Sequence, residues 1–413
     1  MKSNNITQFV VIYLFFLLSL FIGYFINEDF AGGARPDYEL HKLAAKYFID
    51  DFKFALLNYD KLGNLHSPIF IIIVSFFIET NEEYGRILYL LISSLIPFIF
   101  YLILKTKYKS NLFVLFLLSN FLLLSPYYRA TSIWPGDETI SLIFFCFSIL
   151  FYLKYKSTSI EGLKLKYVIF NVLFIALSSY FRPIFCAFSI FFAYEFLKNY
   201  NKQILKYYVL TNIVLSLPAI YYVFILDVNF FKSSLSNFNI INGITLTYTT
   251  IFFYLSPFII ISFKKYNYFN KDLKNIFFTL IFSFFVIIFF DYKFSTGGGF
   301  YYYLSQYLLK NNLILFIIFP ISFYLCNKIL IINKFENFLL FLILVLLEID
   351  GQFYFETYDP LFLIILTTLF NINFKDLFFN QNLKLNIFIV FLFLIFLLFV
   401  KIFQNYNTIV IFN

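Results

Sequence analysis

Long apolar runs separated by short polar segments recur along the whole chain. At helical rise they predict spanning helices near residues 8–26, 85–104, 111–128, 138–153, 167–182, 183–197, 207–226, 248–263, 276–290, 312–326, 336–349, 360–372 and 387–403. Several runs fall short of the ~20 residues a span needs, and flanking Tyr and Asn residues complete them. The short alternating segments of a β-barrel are missing from the sequence. The pattern therefore predicts an all-α, polytopic transmembrane protein with about eleven to thirteen spans. One run is left out of the spans. Ile69–Ile78 covers only ~15 Å as a helix, half of a hydrocarbon core, and reads as re-entrant or interfacial.

The longest polar stretch runs from Asn27 to Pro68 and holds both histidines, His41 and His66, with Glu28, Asp29, Asp37, Glu39, Asp50, Asp51 and Asp60. Within it, Pro36–Phe48 suits an interfacial helix. Leu40, Leu43, Ala44, Tyr47 and Phe48 share one face at i, i+3, i+4, i+7, i+8 spacing. Residues 27–84 then form one large loop after the first span. No repeat, heptad or Pro/Gly/Ser linker divides the chain, so 1–413 is expected to be a single membrane domain.

Charge orients the picture. The chain is 61% hydrophobic and 13% charged, with a formal net charge of +8. In a soluble protein that charge would suggest nucleic acid, but here the lysines collect in alternate loops, so no nucleic-acid partner is expected. With the N-terminus in the cytoplasm, the basic residues of the inner loops are all lysines, and all four arginines (Arg35, Arg86, Arg129 and Arg182) face the other side. Arginine at outer helix ends is suited to gripping phosphate bidentately. Cys146, Cys186 and Cys326 lie in apolar runs without disulfide or metal spacing and read as packing residues. The first run, 9–26, is too long for a signal-peptide core and reads as a retained helix.

Five places on the outer side carry usable chemistry. The first loop offers Asp37, Glu39, His41 and His66; Asp37 and His41 are four apart on one helix face, where the plain alternative is a capping carboxylate and a surface imidazole. Pro126–Glu138 offers Arg129, Trp134, Asp137 and Glu138, the two acids serving equally well as a helix cap. Tyr180–Pro183 presents Arg182, a phosphate ligand or a snorkelling anchor. Asp291–Asn311 joins Lys293 to Gly297-Gly298-Gly299, whose backbone could cradle an anion or merely bend. Asp350–Pro360 carries Asp350, Glu356 and Asp359 with Tyr354 and Tyr358.

Three of these places, in this order, resemble the pattern of GT-C glycosyltransferases, polytopic enzymes that use polyprenyl-phosphate-linked sugars. The matching residues are Asp37-Tyr38-Glu39, Ala44-Ala45, His66-Ser67-Pro68-Ile69-Phe70, Arg86, Ser125-Pro126 with Arg129 and Asp137, and Arg182-Pro183. They cover about the first 200 residues. An Arg-Tyr pair before a late helix, common in the family, has no counterpart in Glu356–Pro360. The resemblance implies inverting hexosyl or pentosyl transfer from a polyprenyl-phosphate sugar to a lipid or glycan acceptor. The setting would be a bacterial cytoplasmic (inner) membrane, with the active site extracytoplasmic. It implies Asp37 as the base and Asp137 as the residue that orients the acceptor or shares a divalent cation (Mg or Mn) with Asp37. It also implies Arg129 and Arg182, with Lys293, as phosphate ligands, and Glu39, His41, His66 and Glu138 as substrate contacts. The competing readings are a transporter or flippase of lipid-linked saccharides, and a glycan polymerase or ligase. Transporters bind at the midplane on broken helices within internal repeats, and the sequence shows neither repeats nor charges deep in its helices.

Overall fold

The computed structural model describes residues 3–30, 32–62, 67–198, 202–222, 224, 239–262, 273–293, 297–331, 334–347, 353–372, 378 and 383–412, and His66 lies outside them. Among the described residues every regular element is a helix and none is a strand. Eight helices among the described residues are long and apolar enough to cross a membrane: Ile6–Phe25, Glu82–Lys107, Asp137–Ser157, Glu161–Phe181, Lys202–Tyr221, Ile240–Ser262, Leu313–Ile331 and Leu383–Phe403. The chain is thus an all-α polytopic membrane protein. It packs as two compact units, Met1–Phe230 with Phe391–Asn413, and Phe231–Val390.

The described residues hold fewer long helices than the apolar runs predict, for local reasons. The run 111–128 breaks at Ser125-Pro126, where proline confines the preceding residue to extended backbone (φ −60, ψ 122). Leu112–Leu124 and Pro126–Ile133 consequently meet at 66° and make at most one broken span. The run 360–372 yields only Leu361–Thr368, eight residues or about 12 Å of helix. Its Leu361–Leu366 stretch is wholly buried, so hydropathy there reports protein core instead of lipid contact.

In the first unit the helices are α1 (Ser3–Phe25), α2 (Ala34–Asp50), α3 (Phe52–Leu57), α4 (Pro68–Thr80), α5 (Glu82–Ser93), α6 (Ile96–Lys107), α7 (Leu112–Asn120), α8 (Pro126–Ile133), α9 (Asp137–Ser157), α10 (Glu161–Phe181), α11 (Phe188–Leu197) and α12 (Lys202–Tyr221). Side-chain caps start several of them. Asp29 accepts from the Ala34 and Arg35 N–H groups at the head of α2, Asp51 from Phe54 N, Asn81 from Tyr84 N and Ser125 from Tyr128 N. Helix α4 is ~20 Å long, too short to span, as its sequence predicted.

Helix α2 divides its apolar residues between two faces. Tyr38, His41, Ala44, Ala45 and Phe48 are buried, and α2 lies against α4. Leu40, Leu43 and Tyr47 are exposed. The sequence grouped Ala44 and Phe48 with the exposed set. An apolar stripe looks alike whether it meets protein or lipid, and here both are present.

The two ends of α9 differ in chemistry. Asp137 and Glu138 occupy its first turn and Lys154 and Lys156 its last, each sign complementing the helix dipole. About 30 Å of helix separates them. At the lysine end, Lys154, Lys156 and Lys164 sit over Phe151, Tyr152 and Tyr155 at 5.3, 5.1 and 6.0 Å.

The second unit contains α13 (Ile240–Ser262), α14 (Leu273–Phe289), α15 (Gly299–Leu309), α16 (Leu313–Cys326), α17 (Phe335–Leu346) and α18 (Leu361–Thr368). Its interior joins Thr247 of α13 to the Tyr358 hydroxyl at 3.1 Å, and Tyr358 donates to Leu344 O of α17 at 2.8 Å.

Close helix approach makes a direct prediction. A Cβ on Gly85 of α5 would lie 2.5 Å from Phe77 Cβ of α4, whereas one on Gly162 of α10 would meet nothing within 4 Å. Gly85→Ala is expected to destabilise by about 1–3 kcal/mol, and Gly162→Ala to be neutral or to stabilise by up to about 1 kcal/mol. Thermal unfolding in detergent tests this, and equal midpoints for the two variants would refute the packing described.

Candidate functional site: an arginine–tryptophan stack

The connection from α1 to α2 runs through three polar residues, Asn27-Glu28-Asp29. Glu28 is 3% exposed and pairs with Arg129 of α8, 5% exposed, in a two-bond fork: Nε to Oε1 at 2.7 Å and Nη2 to Oε2 at 2.5 Å. Arg129 also donates through Nη1 to Ser19 Oγ (2.8 Å) and Leu123 O (3.3 Å), and through Nη2 to Ser19 O (2.9 Å). These five bonds use all five guanidinium N–H groups. Arg129, a phosphate ligand on the sequence reading, therefore has no donor left for a substrate. Its role is to close the α1–α8 contact around Gly23, where a Cβ would fall 2.3 Å from Glu28 Oε2 and 2.9 Å from Arg129 Nη2.

Other arginines hold the open positions. The Arg86 guanidinium of α5 lies 3.7 Å from the centroid of Trp134, the chain's single tryptophan, and 5.0 Å from the Tyr24 ring. Arg35, in the first turn of α2, lies 5.1 Å from the same Trp134 ring. Each such contact stabilises by about 0.5–2 kcal/mol, more as water is removed. Arg86 is 9% exposed and donates through Nε to Ile133 O at 3.3 Å and through Nη2 to Asn27 Oδ1 at 3.5 Å. Among the described residues that leaves both Nη1 hydrogens and one Nη2 hydrogen uncommitted. Among the described residues, neither Arg35 nor Arg86 is paired to a carboxylate within 4.0 Å.

Two neutral donors are buried at this contact. The Tyr38 ring lies 6.1 Å from Trp134, and both side chains are buried. Neither Tyr38 Oη nor Trp134 Nε1 has a hydrogen-bond partner among the described residues. Buried polar groups are nearly always satisfied in native proteins, so such a pair marks a place where a ligand or water bonds. Burial, reinforced by the Glu82 carboxylate and opposed by Arg86, holds the Tyr38 hydroxyl protonated well above its ordinary range. It is therefore a donor at neutral pH.

The remaining predicted residues divide. Asp37 is exposed in the first turn of α2, two residues from Arg35 and next to Tyr38. Asp137 is 3% exposed and opens α9 three residues after Trp134. The Tyr38–Trp134 contact thus joins the two segments that carry these acids. Glu39 bonds Lys42 at 2.9 Å, and Lys42 reaches Glu82 of α5 at 3.0 Å. Burial works against the Lys42 ammonium, but these carboxylates more than offset it and raise its pKa. Glu138 and Arg182 meet each other at 3.3 Å. His41 is 1% exposed and packs edge-on against Phe70 at 5.2 Å, inside the α2–α4 contact and off any outward surface.

Lys293 belongs to the second unit, where it is exposed and bonds Asp291 at 2.8 Å, a contact that raises its pKa. The glycine triplet beside it is not an open anion cradle. Gly297 N donates to Tyr303 Oη and Gly298 N to Phe353 O, both at 2.7 Å. Positive φ at all three glycines and a Gly297 Cβ position 2.1 Å from Phe353 O account for the residue type.

Among the described residues no group of three or more His, Cys, Asp or Glu side chains is placed to hold a metal ion. The donors around Trp134 are cationic or neutral N–H and O–H groups, which suit an anion better than a cation. No family model matches the chain, and neither a curated protein nor a solved structure matches it.

Of the cations singled out in the sequence, Arg129 is fully bonded, and Arg182 and Lys293 are each paired to a carboxylate. Arg129 and Arg86 both sit inside short helices, α8 and α5; a partner 101 residues away separates the sealed guanidinium from the open one. The usable signal was the lone tryptophan between arginine-bearing segments.

Removing one partner of the sealed pair strands a buried charge. Arg129→Met and Glu28→Leu are each expected to cost about 3–5 kcal/mol, and the double variant clearly less than their sum. Unfolding of the three variants checks this, and simple additivity would refute it. Asp29 gives a pH dependence. Burial raises its pKa above 3.8 against the lowering effect of the Arg35, Ala34 and Gly32 N–H groups and the Arg35 charge. Its proton is bound more tightly in the folded state, so its contribution favours the fold below 3.8 and is lost as pH rises through the folded value. Asp29→Asn is therefore expected to fall further below wild type at about pH 4 than at about pH 7, read as the difference in unfolding midpoints.

Proposed function

We propose that this protein is a membrane glycosyltransferase that moves a sugar from a polyprenyl-phosphate donor to a lipid or glycan acceptor. The observation that carries the reading is the pair of guanidiniums, free of carboxylate partners, on Trp134 beside the α2 turn that bears Asp37. The order of motifs in the first 200 residues, which resembles the GT-C pattern, supports it. So does the separation of this site from the lysine end of α9, which favours an extracytoplasmic site in a bacterial cytoplasmic membrane with a cytoplasmic N-terminus.

The chemistry follows from charge. A polyprenyl-phosphate sugar is a phosphodiester with one negative charge. The acceptor hydroxyl attacks C1 from the face opposite the phosphate as the C1–O bond to phosphate breaks, and the sugar configuration inverts. The hydroxyl proton passes to Asp37, and the leaving polyprenyl phosphate departs as a dianion. Arg35 and Arg86 meet the charge that grows during bond breaking, with Trp134 Nε1 and the Tyr38 hydroxyl as added donors. Groups aimed at developing charge lower the barrier instead of merely tightening substrate binding. Asp137 orients the acceptor in this scheme. The scheme routes no step through a divalent cation, since Arg35 and Arg86 meet the phosphate charge.

Mass analysis of surface glycolipids and polysaccharide in a strain lacking the protein tests the reading. Loss of one defined sugar is expected, restored by wild type but not by Asp37→Asn, with Arg86→Ala lowering transfer by ~100-fold or more, as for loss of one oxyanion-hole donor. Full restoration by Asp37→Asn, with precursor accumulating in the null strain, would replace the transferase by a transporter.

A further inference from the structure

We propose that Glu28 is a positioning residue for the Arg35–Trp134–Arg86 stack. It acts through Arg129 and belongs to a three-residue strap that fixes the spacing of the two open guanidiniums. This deepens the reading above and rests on the stack being the anion site.

Each residue of the strap holds a different element. Asn27 accepts from Arg86 of α5, Glu28 takes Arg129 of α8, and Asp29 takes the Ala34 and Arg35 N–H groups of α2. The strap itself is fixed, because Glu28 N donates to Gly23 O at 2.8 Å and Asn27 adopts the left-handed region at φ 52. Three consecutive residues thereby set where Arg86, Trp134 and Arg35 stand relative to one another.

The route from Glu28 to Trp134 is short. Arg129 lies mid-way along the eight-residue α8, and Trp134 follows its last residue with its N–H on Ala130 O at 2.8 Å. Arg86 Nε bonds Ile133 O, the residue before Trp134, at 3.3 Å. A shift of Arg129 therefore moves the ring and one of its two cations together. Among the described residues the Glu28 carboxylate bonds Arg129 and neither the ring nor the open guanidiniums, which is why its effect is one of placement.

Because Trp134 is the only tryptophan, the full chain in detergent reports on this site through its own fluorescence. Glu28→Gln keeps an acceptor for Arg129 Nε but sets an amide donor against Nη2. Glu28→Leu/Arg129→Leu replaces the pair by apolar groups and avoids a stranded charge. Glu195→Gln is the control. It alters a buried carboxylate held by Tyr152 (2.5 Å) and Lys156 (2.8 Å) at the opposite end of α9.

The two strap variants are expected to shift Trp134 emission and change its quenching by iodide without added ligand, and to weaken binding of polyprenyl phosphate about tenfold. The control is expected to leave all three readouts at wild-type values. Folded strap variants with unchanged emission and quenching would overturn the proposal, as would a control that moves them equally. Failure of wild type to bind polyprenyl phosphate would instead sink the proposed function, while emission and quenching still decide the positioning role.

Discussion

A buried carboxylate and a buried guanidinium closed upon each other are the constraint on which the first unit depends. Arg129 can be desolvated because the fork to Glu28, with Ser19 and Leu123, replaces every hydrogen bond its guanidinium loses to water, and Glu28 because both its oxygens meet that charge. That requirement fixes much else. Gly23 must lack a side chain, the end of α1 must pass close to α8, and Trp134 must emerge beside the loop that starts α2.

Sealing one arginine clarifies what the others do. Arg129 has a complete bonding shell and serves the fold. Arg35 and Arg86 spread their charge over the face of an aromatic ring, which satisfies a cation without consuming its N–H groups. Stacking of this kind leaves a guanidinium held in place yet available, the condition a phosphate site requires. The Tyr38 hydroxyl and Trp134 Nε1 add neutral donors of the same polarity, so the donors around Trp134 favour an anion.

Several features of the site were legible along the chain. The short helix α4 and the acids opening α9 follow from residue types within a few positions of each other. His41, Glu39 and Lys293 were not legible in the same way. Polar residues on a loop can be packed, paired or open, and the difference lies in Phe70, in Lys42 with Glu82, and in Asp291. Apolar runs carry a similar ambiguity: the buried Leu361–Leu366 and the exposed face of α12 read alike by hydropathy.

The sequence alone determined that this is a helical membrane protein, because hydrophobicity and helix propensity are local properties. Only the tertiary structure decided which arginine is sealed and which are open, which apolar runs are core, and that Arg35 and Arg86 both lie over the Trp134 ring. Those outcomes depend on contacts between residues far apart in the chain, Glu28 and Arg129 above all. No local pattern records whether a charged side chain meets its partner or is left to bind something else.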